Sequence, residues 1–205
     1  MRVSSVLEVG FGNLPSLERV LQQIEVSVSP IFSAKEIREA DILIIPGVGS
    51  FEVAMTYLEK NELGDAIRER CLELEKPTLG ICLGAQILLS SGTEGGIREG
   101  LGIFEGCVAP LNQIGIGKSH TGWDEVYFSK DCLSFREGDK HDFFFNHDYY
   151  FSDVENQNIF ATCDWSHSFT VGLNRGRTYA VQFHPEKSQS AGKRFLQDFF
   201  DEYYV

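Results

Sequence analysis

The chain predicts an α/β fold: an open, mostly parallel sheet flanked by helices, with antiparallel additions in the second half. Three observations lead there. The first half alternates strand-like and helix-like segments, which implies right-handed βαβ crossovers. The run Asp41-Ile42-Leu43-Ile44-Ile45 is apolar almost throughout, as strands buried on both faces of a parallel sheet are. From about Cys107 onward, short strands joined by glycine or asparagine turns replace that alternation.

Each element follows in turn. Residues 3–9 read as a first strand, closed by the turn Gly10-Phe11-Gly12-Asn13. Leu14, Leu17, Val20, Leu21 and Ile24 then recur at helical spacing, and Pro15 falls in the first turn, where proline is tolerated. A strand is expected at 26–32, a short helix at 34–40, and the apolar run ends at Pro46-Gly47. Helical patterns cover 51–59 and 64–75. Pro77-Thr78-Leu79 leads as a strand into Gly80-Ile81-Cys82-Leu83-Gly84, and Ala85-Gln86-Ile87-Leu88-Leu89 continues as a helix. Strands are expected at 125–128, 142–151, 159–163, 169–173 and 178–183. A final helix at 191–203 places Phe195, Leu196, Phe199 and Phe200 on one face. No repeat, low-complexity segment or linker interrupts this order, so residues 1–205 are expected to form a single domain.

Composition narrows the class. The 205 residues are 42% hydrophobic and 23% charged, enough for a sizeable core. No stretch approaches the roughly 20 apolar residues of a membrane span, and the N-terminus is charged too early for a signal peptide. A net charge of −12 argues against nucleic acid as a partner, because phosphate binding needs a basic face. Cys71, Cys82, Cys107, Cys132 and Cys163 are odd in number and lack metal-like pairing, which suggests free thiols in a reducing cytoplasm. Neither a metal nor a cofactor is expected.

In open α/β sheets, ligands collect beyond the carboxyl ends of the strands. Gly10-Phe11-Gly12-Asn13, Pro46-Gly47-Val48-Gly49 and Gly80-Ile81-Cys82-Leu83-Gly84 each follow a predicted strand, so they should meet at that edge. Cys82 lies between glycines at a strand-to-helix junction. That is how α/β enzymes expose a nucleophile, since flanking glycines remove Cβ atoms that would clash in a sharp turn. N–H groups at the start of the following helix then stabilise the anion formed when sulfur attacks a carbonyl. A buried structural cysteine is the alternative.

A cysteine nucleophile needs a base. Of His120, His141, His147, His167 and His184, the last closes a strand and precedes Pro185, with Glu186 two positions on. Proline holds His184 extended, so that the carboxylate can reach the same side and fix the imidazole tautomer.

Gly80-Ile81-Cys82-Leu83-Gly84-Ala85-Gln86 together with Gln182-Phe183-His184-Pro185-Glu186 resembles the class I glutamine amidotransferases, which have a flavodoxin-like fold. Gly10-Phe11-Gly12-Asn13-Leu14, Pro46-Gly47-Val48-Gly49-Ser50-Phe51, Glu94-Gly95-Gly96, Gly122-Trp123 and His184-Pro185-Glu186-Lys187-Ser188 are similar to the glutaminase subunit of imidazole glycerol phosphate synthase. That similarity covers essentially the whole chain. The resemblance implies that Cys82 attacks the glutamine carboxamide, His184 acts as base and then acid, and Glu186 orients it. It implies an oxyanion hole from Leu83 and the Gly47-Val48-Gly49 strap, where glycine lets a peptide N–H turn toward or away from the site. It places Gln86, Glu94, Asp148 and Tyr149 on the substrate, and Asn13, Trp123 and Lys187 at or near a partner interface. The implied partner is a (β/α)₈-barrel cyclase subunit that receives ammonia for histidine biosynthesis.

The chain departs from that family at several points. Glu8-Val9 replaces the usual Asp-Tyr. Ser119-His120-Thr121-Gly122-Trp123-Asp124 stands where Pro-His-Met-Gly-Trp-Asn is common, and Phe145-Asn146-His147-Asp148-Tyr149-Tyr150 where Phe-Val-His-Ser-Tyr-Tyr is. These changes spare the three expected catalytic residues. They leave open a related glutaminase that supplies ammonia for amidation of a surface-polysaccharide sugar. A non-catalytic scaffold subunit or a stand-alone cysteine hydrolase are further alternatives, against which Cys82, His184 and Glu186, and then Gln86 and Glu94, respectively count.

Overall fold

The computed structural model describes residues 2–8, 14–115 and 117–204. The first-half alternation is present: β1 (Arg2–Leu7), α1 (Leu14–Gln22), β2 (Val26–Ile31), α2 (Ala34–Glu39), β3 (Leu43–Gly47), α3 (Phe51–Lys60), α4 (Gly64–Leu72) and β4 (Thr78–Cys82). The strands run parallel in the order β2-β1-β3-β4, and β13 (Thr178–Val181), the final strand of the chain, adds parallel to β4. Their carboxyl ends therefore share one edge. Alternate side chains of β3 feed two cores, Ile44 on one face and Leu43 with Ile45 on the other. The first core packs under α1 and the last helix, α6 (Gln189–Tyr203), whose Phe195, Leu196, Phe199 and Phe200 are fully buried. The second lies under α2, α3 and α4.

Two expectations need correction. The helix expected over 85–89 is one turn only, α5 (Leu83–Gln86), and Leu89 opens β5 (Leu89–Gly92). Carbonyls that a longer helix would have used are captured elsewhere. Ile87 O accepts from Leu101 N at 2.9 Å, Leu88 O from Ile103 N at 2.9 Å, and Leu89 O from Gly102 N at 3.0 Å. Those bonds bring in β6 (Arg98–Glu99), antiparallel to β5, and β7 (Phe104–Pro110), parallel to it. The strand expected over 142–151 is two strands, β9 (Lys140–His147) and β10 (Tyr149–Ser152), which change partners at Asp148. β9 pairs with β8 (His120–Phe128), whereas β10 pairs with β7 and with β12 (His167–Arg175). β11 (Ile159–Trp165) joins β8 to β12, making thirteen strands of one sheet among the described residues. No helix among them is long and apolar enough to cross a membrane.

Candidate active site

β4 delivers Cys82 to the carboxyl edge in a conformation that L-residues rarely adopt, φ 54° and ψ −111°. Glycines make this turn possible. A Cβ on Gly80 would sit 2.6 Å from Gly84 O, and one on Gly84 would collide with the Ile45 carbonyl. The strand next door supplies the second group. Val181 of β13 pairs with Ile81, which brings the residues just past both strands together. His184 is extended at φ −99° and ψ 93°, as the following Pro185 requires, and its N–H donates to Phe144 O at 2.8 Å.

The imidazole of His184 is held at Nδ1 by Glu186 Oε1, 2.8 Å away, with both side chains buried. A carboxylate only accepts, so Nδ1 carries the proton and Nε2 is left for the sulfur. Nε2 is buried without a hydrogen-bond partner. Burial, the largest single influence, opposes a charge on this ring. The Cys82 sulfur and the Glu186 carboxylate together outweigh it and raise His184 to about 9. Gln182 supports the sulfur from the side: its Nε2 donates to Cys82 Sγ at 3.6 Å, while its Oε1 accepts from Gln86 Nε2 at 3.0 Å.

Cys82 opens onto a cavity of about 320 Å³ lined also by Val48, Gly49, Leu83, Gln86, Glu94, Asn146, His147, Asp148 and Tyr149. The structure thus brings together most residues singled out from sequence. Gly47 does not line the cavity. It pairs with Cys82 in register, and a Cβ there would meet Leu83 Cβ at 2.9 Å. Gly49 has φ +115°, a conformation that favours glycine, with open space around it. Glu94 is engaged within the protein as well, since its Oε2 accepts from Phe51 N at 2.6 Å and thereby caps α3. The carbonyls of Asp148 and Tyr149 are also taken, by Leu111 N at 3.0 Å and His147 Nδ1 at 2.6 Å. Burial, then Glu94 and Asp148, push the Tyr149 hydroxyl up.

Trp123 and Lys187 lie off this cavity. Trp123 is 47% exposed and packs edge-on to Phe144, and Lys187 Nζ sits 5.5 Å above the same ring. Phe144 in turn faces His184 at 6.4 Å. Asn13, with the turn Gly10-Phe11-Gly12-Asn13, lies outside the described residues.

Sequence reasoning missed Gln182 as a site residue, missed Asn146, whose carbonyl oxygen lies 3.9 Å from Cys82 Sγ, and missed the position of His147. Gln182 was visible as the residue two before His184 on a strand that ends at the site. The others depend on the partner change at Asp148, which carries no local signal. His147 is not a free base: its Nδ1 donates to Tyr149 O and its Nε2 meets His120 Nδ1 at 3.0 Å. Burial above all holds it down, to about 3.

A cysteine in a strained turn at the carboxyl edge of a parallel sheet, facing an imidazole held by a carboxylate, defines the α/β enzymes built for thiol attack on an amide. The chain belongs to the glutamine amidotransferase class-I family, whose model matches residues 6–203. It is 36% identical over 197 residues to imidazole glycerol phosphate synthase subunit HisH 1 of Campylobacter jejuni subsp. jejuni serotype O:23/36 (strain 81-176), a match covering 95% of this chain and 98% of that one. It is 39% identical over 201 residues to subunit HisH of Moorella thermoacetica (97% and 94% covered). The chloroplastic imidazole glycerol phosphate synthase hisHF of Arabidopsis thaliana is 36% identical over 200 residues, which span 96% of this chain and 34% of that protein. Among solved structures, PurLQS from Thermotoga maritima superposes with a TM-score of 0.80 at 16% identity over 98% of each chain. A glutamine amidotransferase crystal structure gives 0.76 at 20% identity, over 98% of this chain and 99% of that one. Both likenesses concern the fold.

Proposed function

We propose that the chain is the glutaminase subunit of imidazole glycerol phosphate synthase. It hydrolyses L-glutamine to glutamate and ammonia and passes the ammonia to a cyclase subunit in histidine biosynthesis. The observation that carries this reading is the backbone of Cys82, strained at φ 54° beside the 2.8 Å His184–Glu186 pair, on the wall of a cavity that also holds Gln86 and Glu94.

In this reading the Cys82 sulfur, its proton already resting on His184 Nε2, adds to the glutamine side-chain carbonyl carbon. The oxyanion is held by the Leu83 N–H and a strap N–H of Gly47-Val48-Gly49. The tetrahedral adduct collapses by breaking the C–N bond, and His184 gives its proton to the departing ammonia. Water, deprotonated by the same nitrogen, then cleaves the γ-glutamyl thioester and restores the thiol. Glu186 keeps Nδ1–H in place throughout. Gln86 positions the substrate, the carboxylate of Glu94 suits its ammonium group, and Asp148 and Tyr149 close the far wall.

The partner reading draws on the relatives' names, each a synthase subunit or, in the plant protein, a longer hisHF chain. We assign that partner a (β/α)₈ barrel docked at Trp123 and Lys187, with Asn13 assigned to the same interface from the sequence resemblance alone. The relatives do not favour the alternative of surface-sugar amidation. One sheet joins residues from 2 to 181, which supports a single amidotransferase domain over 1–205. Free thiols at all five cysteines suit a reducing cytoplasm, where we place the protein.

The test uses the chain co-expressed with its partner. Glutamate release from glutamine is expected, together with imidazole glycerol phosphate formation, and Cys82→Ala should remove both while ammonium salts restore the second. Full glutamine turnover in Cys82→Ala would overturn the nucleophile. Co-purification with a sugar-modifying synthetase in place of a cyclase would overturn the pathway.

A further inference from the structure

Behind the catalytic cavity a hydrogen-bonded relay runs from the backbone carbonyl of Tyr149 through two imidazoles to a carboxylate. Tyr149 O lies 2.6 Å from His147 Nδ1, His147 Nε2 lies 3.0 Å from His120 Nδ1, and His120 Nε2 lies 3.3 Å from Asp124 Oδ2. These are three polar links, yet two neutral imidazoles own only two N–H groups. Tyr149 O can only accept, so one N–H is spent there and the other between the rings. The third link then sets the lone pair of His120 Nε2 against a carboxylate. It is also the longest of the three, and it needs a positive charge between its atoms.

Sheet register adds a third ligand at that point. Cys163 of β11 pairs with Val126 of β8, two positions from Asp124. The ligand atoms of His120, Asp124 and Cys163 all lie within 4.8 Å of one another. His120 and Cys163 are buried, while Asp124 is partly open to solvent. His120 is clamped between Phe145 at 4.5 Å and Trp165 at 4.3 Å, which fixes its orientation.

We propose that His120 Nε2, an Asp124 carboxylate oxygen and the Cys163 sulfur bind a zinc ion, with solvent as the fourth ligand. A tetrahedral ion with nitrogen and oxygen ligands at about 2.0–2.1 Å has ligand–ligand edges of about 3.3 Å, the spacing that His120 and Asp124 show. One nitrogen, one oxygen and one thiolate suit Zn²⁺ better than the harder Mg²⁺ or Ca²⁺. Binding releases the Cys163 thiol proton to solvent, with no change of oxidation state. His147 stands behind His120 as the hydrogen-bonded partner that sets its tautomer. The ion would pin β8 to β11 and, through the two rings, hold His147 and Tyr149 on the cavity wall. Asp124 supplies the negative charge that such a site needs.

The experiment titrates Co²⁺, a spectroscopic stand-in for Zn²⁺, into metal-free Cys82→Ser protein, so that the cavity thiol cannot contribute. Expected are saturation at a single ion per chain, tetrahedral visible bands, a near-ultraviolet sulfur-to-cobalt band, and bleaching by equimolar Zn²⁺. Adding Cys163→Ser should abolish the sulfur band, whereas adding Cys132→Ser should keep it. Asp124→Asn, a near-isosteric change at a partly exposed position, should weaken Co²⁺ binding at least about tenfold with the circular dichroism spectrum unchanged. No sulfur band in the folded protein, or an equal band after Cys163→Ser, overturns the site and leaves a protonated His120–Asp124 pair as the third link.

Discussion

Cys82 is held where its backbone is costly. A side chain at φ 54° and ψ −111° stores on the order of 1–3 kcal/mol, which the surrounding hydrogen bonds must offset. A comparison of two inactive variants isolates that strain. Glycine is ordinarily less stable than alanine because it gains more freedom on unfolding. At position 82 the order should reverse, with Cys82→Gly more stable than Cys82→Ala by about 1 kcal/mol. Urea unfolding of both variants measures it, and the ordinary order would mean that the turn relaxes. The residues of this turn were legible in the sequence because the requirement is local: a thiol flanked by glycines, and a histidine locked by the next proline. His147 and Gln182 were not, because their positions depend on register between distant strands.

At the scale of elements, the one-turn helix α5 shows tertiary contacts overriding a local pattern. The apolar sequence Ile87-Leu88-Leu89 suits a helix, but backbone N–H groups from 101–104 claim its carbonyls and draw it into the sheet. Nothing near residue 89 announces donors that arrive from 12 or more positions later. What α5 retains is close packing on β3. Gly84→Ala would drive a methyl into the Ile45 carbonyl, so a loss of about 3 kcal/mol or more is expected in thermal or urea unfolding. Arg70 on α4 is the second such fastening. Fully buried, it donates to Ile37 O at 2.8 Å, Ala40 O at 2.6 Å, Pro77 O at 2.8 Å and Thr78 Oγ1 at 3.0 Å, tying α2 to the start of β4. Burial lowers its guanidinium to about 10, still charged at neutral pH. Lysine lacks the planar fork, so Arg70→Lys should leave buried carbonyls unpaired and cost about 3 kcal/mol. Stability equal to the parent's would show that water or a side-chain shift replaces the fork.

For the whole molecule, the parallel half was legible from its alternation and the antiparallel half only as strands without an order. Apolar periodicity fixes which face a strand buries, but not that β10 leaves β9 to join β7 and β12. The charge of the whole chain and the titration of its site combine in the pH dependence of folding. His184 is raised from 6.5 to about 9 in the folded protein. A histidine so raised contributes stability that is fully present below about 6.5 and lost as pH climbs through 9. On the acid side, Glu36 and Asp131 are held below their ordinary values by hydrogen bonds, from Ser33 first and from the Glu137 backbone first, respectively. Their contribution is present above the usual carboxylate range and lost as pH falls through it. The net charge of −12 adds self-repulsion that mild acid relieves. Stability should therefore peak between roughly pH 5 and 6.5 and fall by on the order of 2–3 kcal/mol toward pH 9. In His184→Gln that alkaline decline should flatten, while the acid limb stays. Urea unfolding free energies across this range test it. An alkaline limb as steep in His184→Gln as in the parent would mean that His184 and its partners do not set it.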